Sequence, residues 1–138
     1  MHAPRWLALT PSGDVLVTET RQNRITILRD SDGNGVAHES KTFASAVNSL
    51  DIPFGMPFGE NYFFLGNTNA VFRFPYKQEQ QQLNGKGEKI AALSDGGYNQ
   101  NWTRNVVVSP DSKKLYVSIG SLPLVMWMRS LYHELLCK

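Results

Sequence analysis

Short runs of alternating apolar and polar residues recur along this chain, each ended by a cluster of Gly, Pro, Asn, Asp or Ser. Trp6 to Thr10 is the first, closed by Pro11-Ser12-Gly13-Asp14, and Val15 to Thr20 is the second. Arg24 to Arg29 follows the polar turn Arg21-Gln22-Asn23, and Glu39 to Phe43 follows a second break. This period of two, with β-branched and aromatic enrichment, predicts strands. The same plan continues with Tyr62–Leu65, Ala70–Phe74 and Glu88–Leu93, and then with Asn105–Val108 and Lys114–Ile119 around Ser109-Pro110-Asp111-Ser112. Pro110 pre-sets the φ of a first central turn position, and Asp111 and Ser112 bond nearby backbone. The Gln-rich stretch Lys77 to Lys86 predicts an exposed connection.

Three segments superimpose: ALTPSGDVLVTET, GMPFGENYFFLGNT and VVVSPDSKKLYVSIG. Each is a short strand, a turn of Pro, Gly or acidic residues, and a more hydrophobic strand. Val17, Phe64 and Val117 occupy like places, so the period is about 50 residues, in the range of propeller blades. Almost no helical periodicity is present, so the fold class is all-β, a β-propeller. The chain of 138 residues holds roughly two to two and a half blades, where a closed ring needs about four to eight. A piece of a larger propeller is therefore expected at residues 1–121. Residues 122–138, rich in Leu, Met and Trp and free of turn punctuation, predict a non-propeller tail from a frameshifted or truncated end. Leu124 to Leu136 reads as helical or unpatterned.

Composition narrows the classes. Hydrophobic residues make up 41% and charged residues 19%, values of a globular protein. A formal charge of +2 with scattered Lys and Arg argues against nucleic acid as a partner. The single Cys137 excludes an internal disulfide framework and a multi-cysteine zinc site. No apolar run is long enough for a membrane span, and the N-terminus lacks the apolar core of a signal peptide.

Several motifs then occur in order: PRWLA, the VTET turn, DSDGNG, NTNAVFRFPY, WTRNVVVSPD and KKLYVSIGS. Through them the chain, from Ala3 to Ser121, resembles the sorbosone/glucose dehydrogenase family of quinoproteins. The resemblance implies a six-bladed propeller that binds pyrroloquinoline quinone near its axis and oxidises a small-molecule sugar or aldehyde. It also implies a histidine general base, a calcium ion that polarises the quinone carbonyl, and an exported, periplasmic or secreted protein. The base histidine should stand directly before Trp-Thr-Arg, where this chain has Asn101. An amide accepts no proton at useful pH, so Asn101 implies either lost activity or a turn cap. His2, His38 and His133 stand in other contexts.

Thr103 and Arg104 are the candidate cofactor-binding residues, since a guanidinium fork suits carboxylates; the alternative is an Arg stacked on Trp102. Asn101-Trp102-Thr103 also matches a glycosylation sequon. Asp30, Asp32 and Asn34, followed by Gly35, place oxygen ligands on alternate residues as calcium prefers, and the same residues equally suit an acidic hairpin turn. The loop departs from an EF-hand, with Lys41 at the closing position. The resemblance places the catalytic calcium's ligands outside this chain. Glu19 and Arg21 are expected to pair with each other or with a neighbouring blade. The aromatic stripe Tyr62, Phe63, Phe64, Phe72, Phe74 and Tyr76 is expected to fill the space between blades. Two functions from other classes stay open: a non-catalytic propeller module, and a metal-dependent sugar lactonase.

Overall fold

A computed structural model describes residues 3–93, 103–119 and 127–131, the last by backbone alone. The strands are β1 (Pro4–Leu9), β2 (Val15–Glu19), β3 (Arg24–Arg29), β4 (Glu39–Ala44), β5 (Tyr62–Gly66), β6 (Ala70–Pro75), β7 (Glu88–Ala92), β8 (Arg104–Val108), β9 (Leu115–Ile119) and β10 (Trp127–Leu131). They form three antiparallel meanders, ordered β1-β2-β3-β4, β5-β6-β7 and β10-β9-β8. These are blades of a β-propeller. The repeat read from the sequence is the structural one: Val17, Phe64 and Val117 lie in β2, β5 and β9.

The second blade has an irregular inner strand of its own. Residues 54–58 run antiparallel to β5 through Phe54 N–H to the Gly66 carbonyl (2.9 Å), Gly66 N–H to the Gly55 carbonyl (2.7 Å) and Phe64 N–H to the Pro57 carbonyl (2.9 Å). Pro53 and Pro57 lack the amide proton a regular ladder needs, so the pairing stays broken. With this strand counted, β5 and β9 are each the second strand of their blade, as β2 is of the first.

The hairpin turns of the first and third blades share one chemistry. Thr10 N–H donates to the Asp14 carbonyl at 2.8 Å, while Asp14 N–H donates to the Thr10 hydroxyl oxygen at 3.0 Å. In the third blade Ser109 N–H donates to the Lys114 carbonyl at 2.9 Å, and Lys114 N–H to the Ser109 hydroxyl oxygen at 2.9 Å. Gly13 (φ 91°) and Ser112 (φ 55°) supply the left-handed residue that reverses each chain.

Two apolar layers fill the gaps between blades. Leu16, Ile25, Ile27 and Phe43 of the first blade meet Met56, Phe63, Leu65 and Phe74 of the second. On its other face the second blade presents Phe64 and Val71 to Val106, Leu115 and Val117 of the third. The aromatic stripe thus divides by strand parity: Phe63 and Phe74 face one neighbour, and Phe64 faces the other. Each fully buried ring contributes about 1.5–3 kcal/mol.

The tail departs from the helical or unpatterned reading. Trp127–Leu131 is a strand, paired with β9 from Trp127 opposite Ile119 to Leu131 opposite Leu115. β9 would otherwise expose a row of unpaired N–H and C=O groups, and such an edge captures any extended neighbour. β10 takes the place in the third blade that β3 and β6 hold in the first two.

Candidate functional site

The start of β8 lies where the second and third blades touch. Gly55 N–H donates to the Arg104 carbonyl at 3.0 Å. A Cβ on Gly66 would stand 2.7 Å from the same carbonyl, and one on Gly55 would stand 2.5 Å from the Val106 nitrogen. Only glycine permits this approach. It brings the last residue of β5, Gly66, against the first of β8, Arg104.

The connection between the first two blades is pinned at this same end. The Thr20 hydroxyl donates to the Pro53 carbonyl at 2.9 Å, and Ile52 N–H donates to Asn23 Oδ1 at 2.7 Å. Asn67 Nδ2 donates to the Ser49 carbonyl at 2.6 Å. Ile52 takes a left-handed φ of 50°, unusual for a β-branched residue. The Trp6 and Phe54 rings, 5.2 Å apart, join the innermost strands of the two blades. One continuous polar seam therefore links three blades at the Arg104 end.

Arg104 is 1% exposed. Its guanidinium donates to the Thr103 carbonyl at 3.1 Å. The Arg104 side chain is enclosed at the entry to β8, whereas Thr103 is only half-buried. Asn101 and Trp102, the other residues singled out here, lie outside the described residues. Asn67 and Thr68 were legible from the sequence only as a turn, yet both are buried, and Asn67 Oδ1 and the Thr68 hydroxyl have no hydrogen-bond partner among the described residues. The Asn-Thr-Asn string between two aromatic strands was the available signal.

The acidic loop lies at the other end of the first blade, beyond β3. Asp30 Oδ1 accepts Gly33 N–H at 2.8 Å and Asp30 Oδ2 accepts Gly35 N–H at 2.7 Å. These backbone donors, Gly35 foremost, hold the Asp30 carboxyl below its ordinary range. Asn34 Oδ1 accepts Val36 N–H at 2.8 Å. The groups brought together are Asp30, Asp32 and His38, all exposed, with possible ligand atoms within 4.8 Å of one another. Calcium takes six to eight oxygens. The loop offers two carboxylates and the Asn34 oxygen, which already accepts one backbone N–H.

Beside this loop a polar cleft of about 320 Å³ is lined by Ser12, Gly13, Asp14, Arg29, Asp30 and Glu79. Its chief feature is the bidentate pair of Arg29 with Asp14, Nε to Oδ1 at 2.8 Å and Nη2 to Oδ2 at 2.6 Å. The guanidinium's hydrogen bonds hold the Asp14 carboxyl below its usual value. Glu19 pairs with Arg24, which the sequence did not single out, Nε to Oε2 at 2.6 Å, with the Thr26 hydroxyl donating to the same oxygen at 2.7 Å. Arg21 is exposed on the corner, because the short 3-10 turn Thr20–Gln22 rotates it outward. Glu19 and Arg24 face each other across the β2–β3 ladder.

No curated protein matches this chain. Among solved structures it is similar to the pyrroloquinoline quinone domain of pyranose dehydrogenase from Coprinopsis cinerea, described in its holo form, with a TM-score of 0.70 and 17% identity. That alignment covers 88% of this chain and 28% of the other. It is also similar to a carbohydrate-active enzyme of family AA12 from Trichoderma reesei, in a calcium structure, with a TM-score of 0.65, 17% identity and coverage of 88% and 30%. The chain spans less than a third of either protein. Residues 1–125 match the TrAA12-like family. The boundary at residue 125 leaves β10 beyond the match while all the other strands fall within it. With most of its length matched and its three sheets laid out as propeller blades, the chain belongs to the TrAA12-like family.

Proposed function

We propose that this chain supplies the first blades of a quinone-dependent sugar or aldehyde dehydrogenase, of the sorbosone or glucose type, and is inactive by itself. Membership of the TrAA12-like family over residues 1–125 carries the reading. The solved relative with a pyrroloquinoline quinone domain supports that cofactor, and the calcium structure of the AA12 enzyme supports calcium. When bound, the quinone accepts the hydride and calcium polarises its carbonyl.

The chain's own part is architectural. Arg104, buried between blades, sets the entry of β8, and Thr103 stands at that entry as the polar group offered to a ligand at the axis. Asn101 occupies the family's base position, and a neutral amide neither takes up nor stores the substrate's hydroxyl proton. The acidic loop Asp30, Asp32 and Asn34 stands apart from the catalytic calcium.

Titration of the purified chain with pyrroloquinoline quinone and calcium tests this, with dye-coupled oxidation of aldoses followed for Asn101 and for Asn101→His. Quinone binding without dye reduction is the expected result for the chain as it stands, and dye reduction gained in Asn101→His would add weight to the dehydrogenase reading. Absence of quinone binding in both would favour a second reading, a non-catalytic propeller module, for which the Asn at the base position speaks.

A further inference from the structure

Two Asn-Gly pairs, Asn34-Gly35 and Asn84-Gly85, lie in exposed loops at the far ends of different blades. In such a pair the backbone nitrogen of glycine, unhindered by a Cβ, can attack the side-chain amide carbon of asparagine. The sequence makes the two pairs equivalent; the structure makes them opposite.

Asn34-Gly35 is locked. Gly35 N–H, the group that must deliver the nucleophilic nitrogen, donates to the Asp30 carboxylate at 2.7 Å. The Asn34 amide is fixed on both sides: Nδ2 donates to Asp32 Oδ2 at 3.0 Å, and Oδ1 accepts Val36 N–H at 2.8 Å. Attack would break three hydrogen bonds, two of them to charged acceptors.

Asn84-Gly85 has none of these. The Asn84 side chain and the Gly85 N–H make no hydrogen bond among the described residues. Space around Gly85 is open: a Cβ built there would meet nothing within 4 Å. The backbone on either side is meanwhile held, since buried Asn48 Nδ2 donates to the Gly85 carbonyl at 2.8 Å and to the Leu83 carbonyl at 3.4 Å. The reactive groups are thus exposed in the folded state, with no unfolding needed to reach them.

We propose that Asn84 is a site of spontaneous deamidation in the folded protein and that Asn34 is protected from it by Asp30. Gly85 N–H gives its proton to solvent base, and its nitrogen bonds to the Asn84 side-chain carbon. The bond from that carbon to the amide nitrogen breaks, and ammonia leaves. Water then opens the cyclic imide at either carbonyl, giving aspartate or isoaspartate at position 84 with no change of oxidation state. The loop gains one negative charge.

Peptide mapping by mass spectrometry of the full chain, held folded at mildly alkaline pH, tests this. Mass gain and isoaspartate at residue 84 should appear at least about 10-fold faster than at residue 34, because a hydrogen bond to a charged acceptor protects only the latter. Asp30→Ala should raise the rate at Asn34 towards that at Asn84. Equal rates at the two sites in the unsubstituted protein would overturn the proposal, whatever the variant does. A rate at Asn34 unchanged in a folded Asp30→Ala protein would overturn the protective role of Asp30.

Discussion

Gly55 N–H donates to the Arg104 carbonyl at 3.0 Å, and this bond joins the inner strand of the second blade to that of the third. A methyl group on Gly55 would stand 2.5 Å from the Val106 nitrogen and 2.7 Å from the Arg104 oxygen, both backbone atoms that cannot swing aside. Gly55→Ala therefore forces the blades apart, at a cost of about 3 kcal/mol. Gly13→Ala is the comparison: its φ of 91° is strained for alanine, but nothing lies within 4 Å of the new methyl, so about 1 kcal/mol is expected. Urea midpoints of the two variants check the order. Equal losses would mean that the glycine at 55 serves conformation and not blade contact.

Buried Glu19 leads to a second expectation. It is 0% exposed, and its Oε2 accepts hydrogen bonds from Arg24 Nε at 2.6 Å and from the Thr26 hydroxyl at 2.7 Å. Glu19→Gln keeps the shape but replaces a charged acceptor with a neutral amide. The loss should be about 2–3 kcal/mol, near the lower end for breaking a buried pair because Arg24 retains access to water. Thr26→Val removes one donor and leaves the ion pair, so it should cost about 1 kcal/mol. Thermal unfolding of both variants distinguishes these values.

The blade plan was legible because period-two alternation and Pro, Gly and Asp turns are local signals, written within each hairpin. Val17, Phe64 and Val117 lined up for that reason. The inner strand at 54–58 was legible only as a short strand opening GMPFGENYFFLGNT; its broken pairing was not, because Pro53, Gly55 and Pro57 read as punctuation and their order arises from pairing with β5 and β8. Trp127–Leu131 carries no alternation either, and its strand geometry is imposed by the open edge of β9. At the site, the special place of Thr103 and Arg104 came from a resemblance. Burial of Arg104 came from Gly55 and Gly66, residues remote in sequence. Arg24 was not legible as a partner of Glu19, because proximity in sequence favours Arg21, whereas the β2–β3 register sets Glu19 opposite Arg24.

Acid stability should depend on Asp14. Hydrogen bonds from Arg29 hold its carboxyl below the ordinary value, outweighing the opposite push of burial. A carboxyl lowered on folding stabilises the protein above its unfolded pKa of about 3.9, and that contribution is lost as pH falls through the folded value. Asp14→Asn should thus cost about 1–2 kcal/mol at pH 7, a range kept modest because Arg29 is partly solvated. It should also flatten the loss of stability below about pH 4. Urea midpoints at pH 7, 4 and 3 test both, and an acid limb unchanged in Asp14→Asn would assign it to other carboxyls.

Tyr76 has the opposite sign. Its ring packs between Phe43 and Phe58, with centroids 6.4 Å and 4.7 Å away, and its buried hydroxyl has no hydrogen-bond partner in good geometry among the described residues. Burial pushes the phenol above its usual value, since a phenolate there would lose its hydration. A group whose neutral form is favoured by folding contributes fully below its unfolded pKa of about 10, and loses that contribution as pH rises towards the folded value. Tyr76→Phe removes both the titrating proton and the unpaired hydroxyl while keeping the ring. At pH 7 it should leave stability unchanged or raise it by about 1 kcal/mol, because an unsatisfied buried hydroxyl is itself a cost. At pH 10.5 its advantage over the unsubstituted chain should grow. Urea midpoints at the two pH values measure this. A loss of about 1 kcal/mol at pH 7 would show instead that the phenol bonds the Thr10 and Ser12 hydroxyls, which sit 3.0 Å apart at the first blade's turn.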